Sequence, residues 1–185
     1  MKSAFFVFAS ALLLSLFITP VNAQVGGPAT FDIGQTEVVR NGFGSRNKMM
    51  LSLYECSLYL PQKSNDAATI VAAEQPMAVR LKITSRFVSQ EKMLAALREG
   101  FQSSTGGSTA SIASDIAAFT NCFSDPIQMD DVFIMAYMPN SGVVVYKNNQ
   151  QKGIVGGPEF KKALFGIWLG NNPIDANLKN ALLGK

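Results

Sequence analysis

The sequence predicts an α+β domain in which a large antiparallel sheet is covered on one face by a layer of helices. Three observations favour this fold class. Strand-like segments come first along the chain, helix-like segments occupy its middle, and a β-meander followed by further helices closes it. Short turns between successive strands indicate antiparallel pairing, and helices grouped apart from the strands pack together on the sheet.

The first third of the chain supplies the opening strands. Residues 35–41 predict a strand that ends at an Asn-Gly turn in 41–44, because both residue types tolerate positive φ. Residues 46–60 predict one long strand or a pair of strands, and residues 66–74 a short helix. Residues 77–87 alternate between apolar and polar side chains, and this period of two indicates a strand with one buried and one wet face.

Two amphipathic helices are predicted next. Ser89 is a good N-cap for the first, because its hydroxyl can accept from a backbone N–H of the first turn. Residues 103–108 are rich in serine, threonine and glycine and break the helical pattern. Apolar side chains spaced along residues 112–123 mark the second helix.

The last third predicts a β-meander and two helices. Residues 131–138, 143–147 and 153–155 are short apolar strands separated by Pro-Asn-Ser-Gly and Asn-Asn turns. A helix over residues 159–170 and a short terminal helix over residues 173–183 complete the predicted architecture.

The N-terminus has the layout of a secretory signal peptide. Lys2 supplies the positive start, residues 4–18 form the apolar run, and the small residues Val21 and Ala23 stand at the −3 and −1 positions of a cleavage site. The apolar run is shorter than the roughly 20 residues that a membrane-spanning helix needs. We therefore expect cleavage between Ala23 and Gln24.

Removal of residues 1–23 would leave residues 24–185 as one exported domain, in the periplasm or the medium. A chain of this length buries roughly 70% of its unfolded surface on folding, so it needs no disulfide to fold. Charges or glycines interrupt every later apolar stretch, so the mature chain is expected to carry no integral membrane anchor.

Composition argues against several classes of function. The chain has 16 Lys and Arg residues against 13 Asp and Glu, spread without the basic patch of a nucleic-acid binder. Histidine is absent, which excludes histidine-based catalytic triads and histidine-ligated zinc, and we expect neither metal nor cofactor. Cys56 and Cys122 can form a disulfide in an oxidising compartment, but the sequence leaves their pairing open.

An ordered series of segments carries a family resemblance. These segments are residues 41–46 (Asn-Gly-Phe-Gly-Ser-Arg), 57–61, 83–101, 130–142 and 159–174. Together they resemble the chalcone isomerase-like proteins, particularly their exported bacterial branch. The resemblance implies an open-faced β-sandwich with a ligand cleft between sheet and helices. Plant members of that family close a chalcone to a flavanone, whereas related members bind fatty acids instead.

The resemblance also points to the site residues. Arg46 is similar to the family's cleft arginine, whose guanidinium can grip a carboxylate or a phenolate. The plant enzymes add a tyrosine and a threonine, where this chain has Phe87 and Tyr54 respectively. A phenyl ring donates no hydrogen bond, so Phe87 argues against chalcone cyclisation. Tyr59 should face the opposite side of the sheet from Tyr54, because successive strand positions alternate.

Three hypotheses follow from the retained arginine and the missing tyrosine. The leading one is a non-catalytic binder of an amphipathic carboxylate such as a fatty acid, with Arg46, Tyr54 and Phe87 lining the cleft. The second is an isomerase or lyase acting on a chalcone-like enone or phenolic substrate through Arg46 and Tyr54. The third is an interaction module of the cell envelope with a collapsed cleft. The expected partner is thus a small amphipathic or aromatic ligand.

Overall fold

One antiparallel sheet of seven strands forms the centre of the protein, and each strand pairs with its neighbours in the chain. The computed structural model describes residues 25–185, so the predicted signal peptide lies outside the described residues. The strands are β1 (Thr30–Ile33), β2 (Thr36–Lys48), β3 (Leu51–Leu60), β4 (Met77–Ile83), β5 (Val132–Met138), β6 (Gly142–Lys147) and β7 (Gln150–Val155).

Five α-helices and one 3₁₀ turn, Ala110–Ile112, accompany the sheet within the described residues. The helices are α1 (Ala67–Ala72), α2 (Gln90–Ser104), α3 (Ala113–Asn121), α4 (Pro158–Leu169) and α5 (Ala176–Leu182). Helix α4 packs against α1 and α2, and α5 packs on β2. This architecture confirms the predicted α+β class. Across residues 25–185, every helix is too short or too polar to cross a lipid bilayer.

The two faces of the sheet have different cores. Side chains on the helix-covered face form the main hydrophobic cluster, which includes Leu58, Phe133 and Trp168. The opposite face holds a small cluster around Tyr59, whose hydroxyl donates to the carbonyl oxygen of Pro28 at 2.9 Å. Tyr59 therefore lies on the face opposite Tyr54, as strand alternation predicted.

The predicted turn at residues 41–44 is absent, because β2 continues through the Asn-Gly pair. The register of β2 against β3 shifts between Arg40 and Gly42, which leaves Asn41 as an extra residue. The Asn41 amide donates to the carbonyl oxygens of Ser64 at 2.9 Å and Leu182 at 2.8 Å. The Asn-Gly dipeptide would favour a turn by itself, but these long-range contacts stabilise it as a bulge in β2.

The chain turns at Met49 and Met50 instead, which have positive φ of 48° and 66°. The predicted strand 46–60 is consequently a pair: it contains the end of β2 and all of β3. Residues 77–87 also end earlier than predicted, since β4 stops at Ile83. Phe87 follows in a turn, where it is 50% exposed.

The starts of α1 and α2 agree with the sequence prediction, whereas α5 begins three residues later than predicted, at Ala176. Ser89 caps α2, and its side chain accepts from the backbone N–H of Lys92 at 3.3 Å. Asp66 caps α1 in the same way.

Cys56 and Cys122 are both buried and carry free thiols, which resolves the pairing that the sequence left open.

Candidate functional site

A cleft of about 420 Å³ opens between the β2–β3 end of the sheet and helix α2. Arg46 and Tyr54 contribute to its sheet wall, Phe87 and Met93 to its helix side, and Ile174 comes from the segment before α5. Its volume falls in the range of roughly 300–1,000 Å³ that small-molecule sites occupy. The three site residues named from the sequence thus lie around one cavity, between sheet and helices.

A larger concavity of about 660 Å³ lies elsewhere, beside α1 and α4. Its lining includes hydroxyl and lysine side chains such as Ser104, Ser111 and Lys162, and none of the three predicted site residues. The β2–β3 cleft is therefore the better candidate, because it combines an apolar lining with a few placed polar groups.

Arg46 and Tyr54 are cross-strand partners in the β2–β3 ladder. Side chains of directly paired strand residues lie on the same face of the sheet, so the guanidinium and the phenol project together toward the helices. A carboxylate or phenolate oxygen in the cleft can therefore be approached by both groups.

An ion pair with Asp175 fixes the Arg46 side chain. Arg46 Nη1 lies 3.2 Å from Asp175 Oδ2, and the two side chains are only 19% and 15% exposed. The other oxygen of Asp175 accepts from the backbone N–H of Leu178 at 3.0 Å and thereby caps α5. A guanidinium has five N–H donors, so engagement of one Nη1 leaves further donors for an anion in the cleft.

Two glycines of β2 allow α5 to approach closely enough for this ion pair. A Cβ atom at Gly44 would lie 2.7 Å from the Ala181 Cβ, and one at Gly42 would overlap the Ala181 carbonyl oxygen. Helix α5 can pack on this part of β2 only because the two glycines have no side chains. The Gly-Phe-Gly segment thus positions a helix and its capping carboxylate rather than forming a turn.

Tyr54 is a buried neutral phenol. Its side chain is 7% exposed, and its hydroxyl accepts from Trp168 Nε1 at 3.3 Å. Burial, followed by the electrostatic influence of Cys56, raises the pKa of Tyr54 well above its ordinary value. Because the hydroxyl oxygen is the acceptor in the bond to Trp168, its proton can be donated to a ligand oxygen.

The remaining walls are apolar, with basic groups at the mouth. Val88 and Met93 are buried in the interior wall, whereas Lys48 and Lys92 line the exposed mouth together with Glu99. The cleft can therefore hold a hydrocarbon chain inside and present positive charge near its entrance.

Sequence reasoning missed Asp175, Lys92 and Trp168 as parts of the site. Trp168 is in the core, with 2% exposure, but it also donates to Tyr54. Asp175 is 129 positions from Arg46, and its only local signal was that of a helix start.

Among residues 25–185, the structure contains no group of three or more potential metal-ligating side chains.

Both the sequence and the fold are similar to those of known proteins. The sequence matches the family described as chalcone isomerase-like over residues 21–184. No curated protein matches it significantly. Among solved structures, a fatty-acid binding protein of Arabidopsis thaliana is similar with a TM-score of 0.66 at 16% sequence identity, covering 84% of this chain and 90% of that chain. At that identity the likeness shows the fold alone. The match over nearly the whole chain shows that this protein belongs to the chalcone isomerase-like family.

Proposed function

We propose that this domain binds an amphipathic carboxylate, such as a fatty acid, in the β2–β3 cleft. The observation that carries the proposal is the pairing of Arg46 and Tyr54 on one wall of an otherwise largely apolar cavity of about 420 Å³. The carboxylate lies at these two residues, and the hydrocarbon tail extends between the sheet and α2. The domain acts as a carrier or reservoir and leaves its ligand chemically unchanged.

The head-group site consists of one fixed cation and one neutral donor. Asp175 holds Arg46 by Nη1, so the guanidinium is oriented before a ligand arrives. Trp168 orients the Tyr54 hydroxyl in the same manner. Hydrogen bonds from a charged donor to a carboxylate contribute about 1.5–3 kcal/mol, and preorganised side chains lose little entropy on binding.

The tail site is formed by apolar side chains, which cannot hydrogen-bond to the carboxylate head group of the ligand. Leu53, Val88, Met93 and Ile174 line the cavity, and each buried methylene of a ligand contributes about 0.8 kcal/mol there. Methionine adapts its shape to different chain lengths and degrees of unsaturation. The similar Arabidopsis thaliana structure is of a fatty-acid binding protein, and this supports the choice of ligand class.

Export forms part of the proposal, because residues 1–23 have the layout of a signal peptide. The intact mass of the protein recovered from the exported fraction tests this directly. A mass corresponding to a chain that starts at Gln24 supports export with cleavage, whereas a full-length mass contradicts it.

An isomerase or lyase acting on a phenolic enone is the second candidate, favoured by the same proximity of Arg46 and Tyr54. Phe87 stands at the mouth without a hydroxyl, and the raised pKa of Tyr54 makes it a poor base at neutral pH. The cavity of about 420 Å³ supports a ligand binder over the interaction-module hypothesis, which requires a collapsed cleft.

Native mass spectrometry of the mature protein, purified without detergent and titrated with palmitate, tests the binding proposal. We expect Arg46→Ala to weaken palmitate binding by about tenfold or more, since a charge-assisted hydrogen bond is lost. Binding of the neutral alcohol hexadecanol should change far less. Arg98→Ala is the matched control, because Arg98 is exposed on α2 and does not line the cleft.

The substitution also leaves Asp175 without its cation, so a folding defect must be separated from a binding defect. The double variant Arg46→Ala/Asp175→Ser removes the stranded charge and keeps a capping side chain on α5. Equal palmitate affinity in wild type and both Arg46 variants would overturn the proposed site. Turnover of a chalcone that is lost in Arg46→Ala would favour the isomerase instead.

A further inference from the structure

The turn between β2 and β3 is built from residues that do not suit it. Met49 and Met50 have φ of 48° and 66°, in the left-handed region where a side chain is strained. They are 88% and 101% exposed, so neither residue is buried in the core of the domain. Neither the backbone nor the core explains two methionines at this position.

The chain contains a matched turn with suitable residues. Asn148 and Asn149 join β6 to β7 with φ of 50° and 66°, nearly the same φ values as Met49 and Met50. Asparagine adopts this conformation more readily than unbranched apolar residues, because its short polar side chain can hydrogen-bond locally. The contrast indicates that Met49 and Met50 serve a contact outside the domain.

The surroundings of the methionines indicate the chemistry of that contact. Leu51 and Phe87 add exposed apolar surface, at 46% and 50% exposure, and both line the mouth of the cleft together with Met49.

Three exposed cations surround this apolar tip. Lys48 and Lys92 line the same cleft mouth, and Arg86 places its guanidinium 5.3 Å from the centre of the Phe87 ring. Glu99 is the carboxylate among the residues that line the cleft, against the two lysines, so positive charge exceeds negative charge at the mouth. Protruding apolar side chains within a basic rim suit the interface of an anionic lipid bilayer, where the tip enters the acyl boundary and the cations meet the head groups.

We propose that the tip formed by Met49, Met50, Leu51 and Phe87 docks the domain reversibly on an anionic membrane surface. Docking in this orientation places the mouth of the cleft against the bilayer, because Met49, Leu51 and Phe87 line that mouth. The surface exists independently of any ligand in the cleft, so the proposal goes beyond the binding function and fails or holds separately from it.

Co-sedimentation with vesicles tests the proposal, using the mature protein without added fatty acid. We expect binding to phosphatidylglycerol vesicles and much weaker binding to phosphatidylcholine vesicles. The variant Met49→Asn/Met50→Asn should bind phosphatidylglycerol vesicles at least about tenfold more weakly, because two apolar side chains are no longer available for burial in the bilayer. This variant recreates the Asn-Asn pair of the β6–β7 turn, so it should remain folded.

Two controls separate specific docking from general adhesion. Met129→Asn removes another exposed methionine, 56% exposed and absent from the cleft lining, and should leave vesicle binding unchanged. Lys48→Gln/Lys92→Gln should weaken binding at about 0.1 M salt and reduce its salt dependence, since screening acts on the cations.

Methionine oxidation gives a second readout with an internal reference. Exposed thioethers are converted to sulfoxides by peroxide, and lipid contact should slow this reaction at Met49 and Met50 but not at Met129. Unchanged oxidation of Met49 and Met50 on phosphatidylglycerol vesicles would overturn the proposal. Protection that appears without vesicles and grows with protein concentration would also overturn it, because a second copy of the chain would then cover the tip.

Discussion

The Arg46 guanidinium and the Asp175 carboxylate form an ion pair at 3.2 Å that joins strand β2 to the start of helix α5. One partner lines the cleft, and the other caps the helix through the Leu178 backbone N–H. The position of the candidate ligand-binding arginine is therefore coupled to the seating of the C-terminal helix. This coupling makes the site sensitive to residues that never touch a ligand.

Gly44→Ala should damage both stability and binding from outside the cleft. The new methyl group would lie 2.7 Å from the Ala181 Cβ and push α5 away from β2. We expect a loss of about 1–3 kcal/mol in the free energy of unfolding, the usual cost of overpacking, together with weaker palmitate binding. Urea unfolding and native mass spectrometry measure the two effects.

Gly157→Ser provides the control for that prediction, because no atom lies within 4 Å of the added Cβ and serine is a good N-cap for α4. Its stability should equal or exceed that of the wild type. If Gly44→Ala unfolds at the same urea concentration as wild type, close packing of α5 does not constrain Arg46.

Asp175→Ala should destabilise the domain more than Asp175→Ser. Alanine removes both the helix cap and the ion pair, whereas serine retains an oxygen that can accept from the Leu178 N–H. A lost N-cap costs about 1 kcal/mol, so we expect a difference of that order between the two variants in thermal or urea unfolding. Equal stability of the two would show that the cap contributes nothing measurable.

Tyr54→Phe should reveal how the Tyr54 hydroxyl is used. The Trp168 N–H would lose its buried acceptor, and a buried unsatisfied donor costs about 1–3 kcal/mol. The double variant Tyr54→Phe/Trp168→Phe leaves no stranded donor, so a double-mutant cycle in urea should show a favourable coupling between the two residues. Additive losses would contradict the hydrogen bond. Palmitate affinity should fall in both Tyr54 variants, because the ligand loses one donor in each.

Alkaline pH should destabilise the fold through Tyr137. Burial, and then donation to Glu74 Oε2 at 2.5 Å, raise the pKa of Tyr137 to about 12. A raised folded pKa contributes stability that is fully present below the unfolded tyrosine pKa of about 10 and is lost as the pH rises toward 12. Tyr137→Phe should therefore lose less stability over this interval than wild type. Parallel curves of unfolding free energy against pH would refute the prediction.

Local signals were sufficient for most secondary structure. Ser89 was recognised as a cap, the Asn-Asn turn was located between the last two strands, and alternation separated Tyr54 from Tyr59. These predictions succeed because capping, turn and period-two preferences depend on neighbouring residues only. The resemblance added Arg46 and Phe87, which no local pattern distinguishes from a surface arginine and an ordinary core ring.

Local preference failed where a distant segment supplied a stronger contact. The Asn41-Gly42 pair became a bulge in β2 because α5 and the Ser64 loop bind the Asn41 amide and because α5 lies against the glycine. Met49 and Met50 formed a turn that their own preferences disfavour, because the pairing of β2 with β3 requires a reversal between them.

The sequence by itself determined the fold class, the starts of α1 and α2 and the kinds of side chain available for binding, since period, capping and residue chemistry are local properties. Only the tertiary structure decided which of those side chains meet. Asp175 reaches Arg46, and Trp168 reaches Tyr54, across separations of 129 and 114 residues. Such contacts depend on how helices α4 and α5 pack on the sheet, and that packing is set by the shape of the whole core.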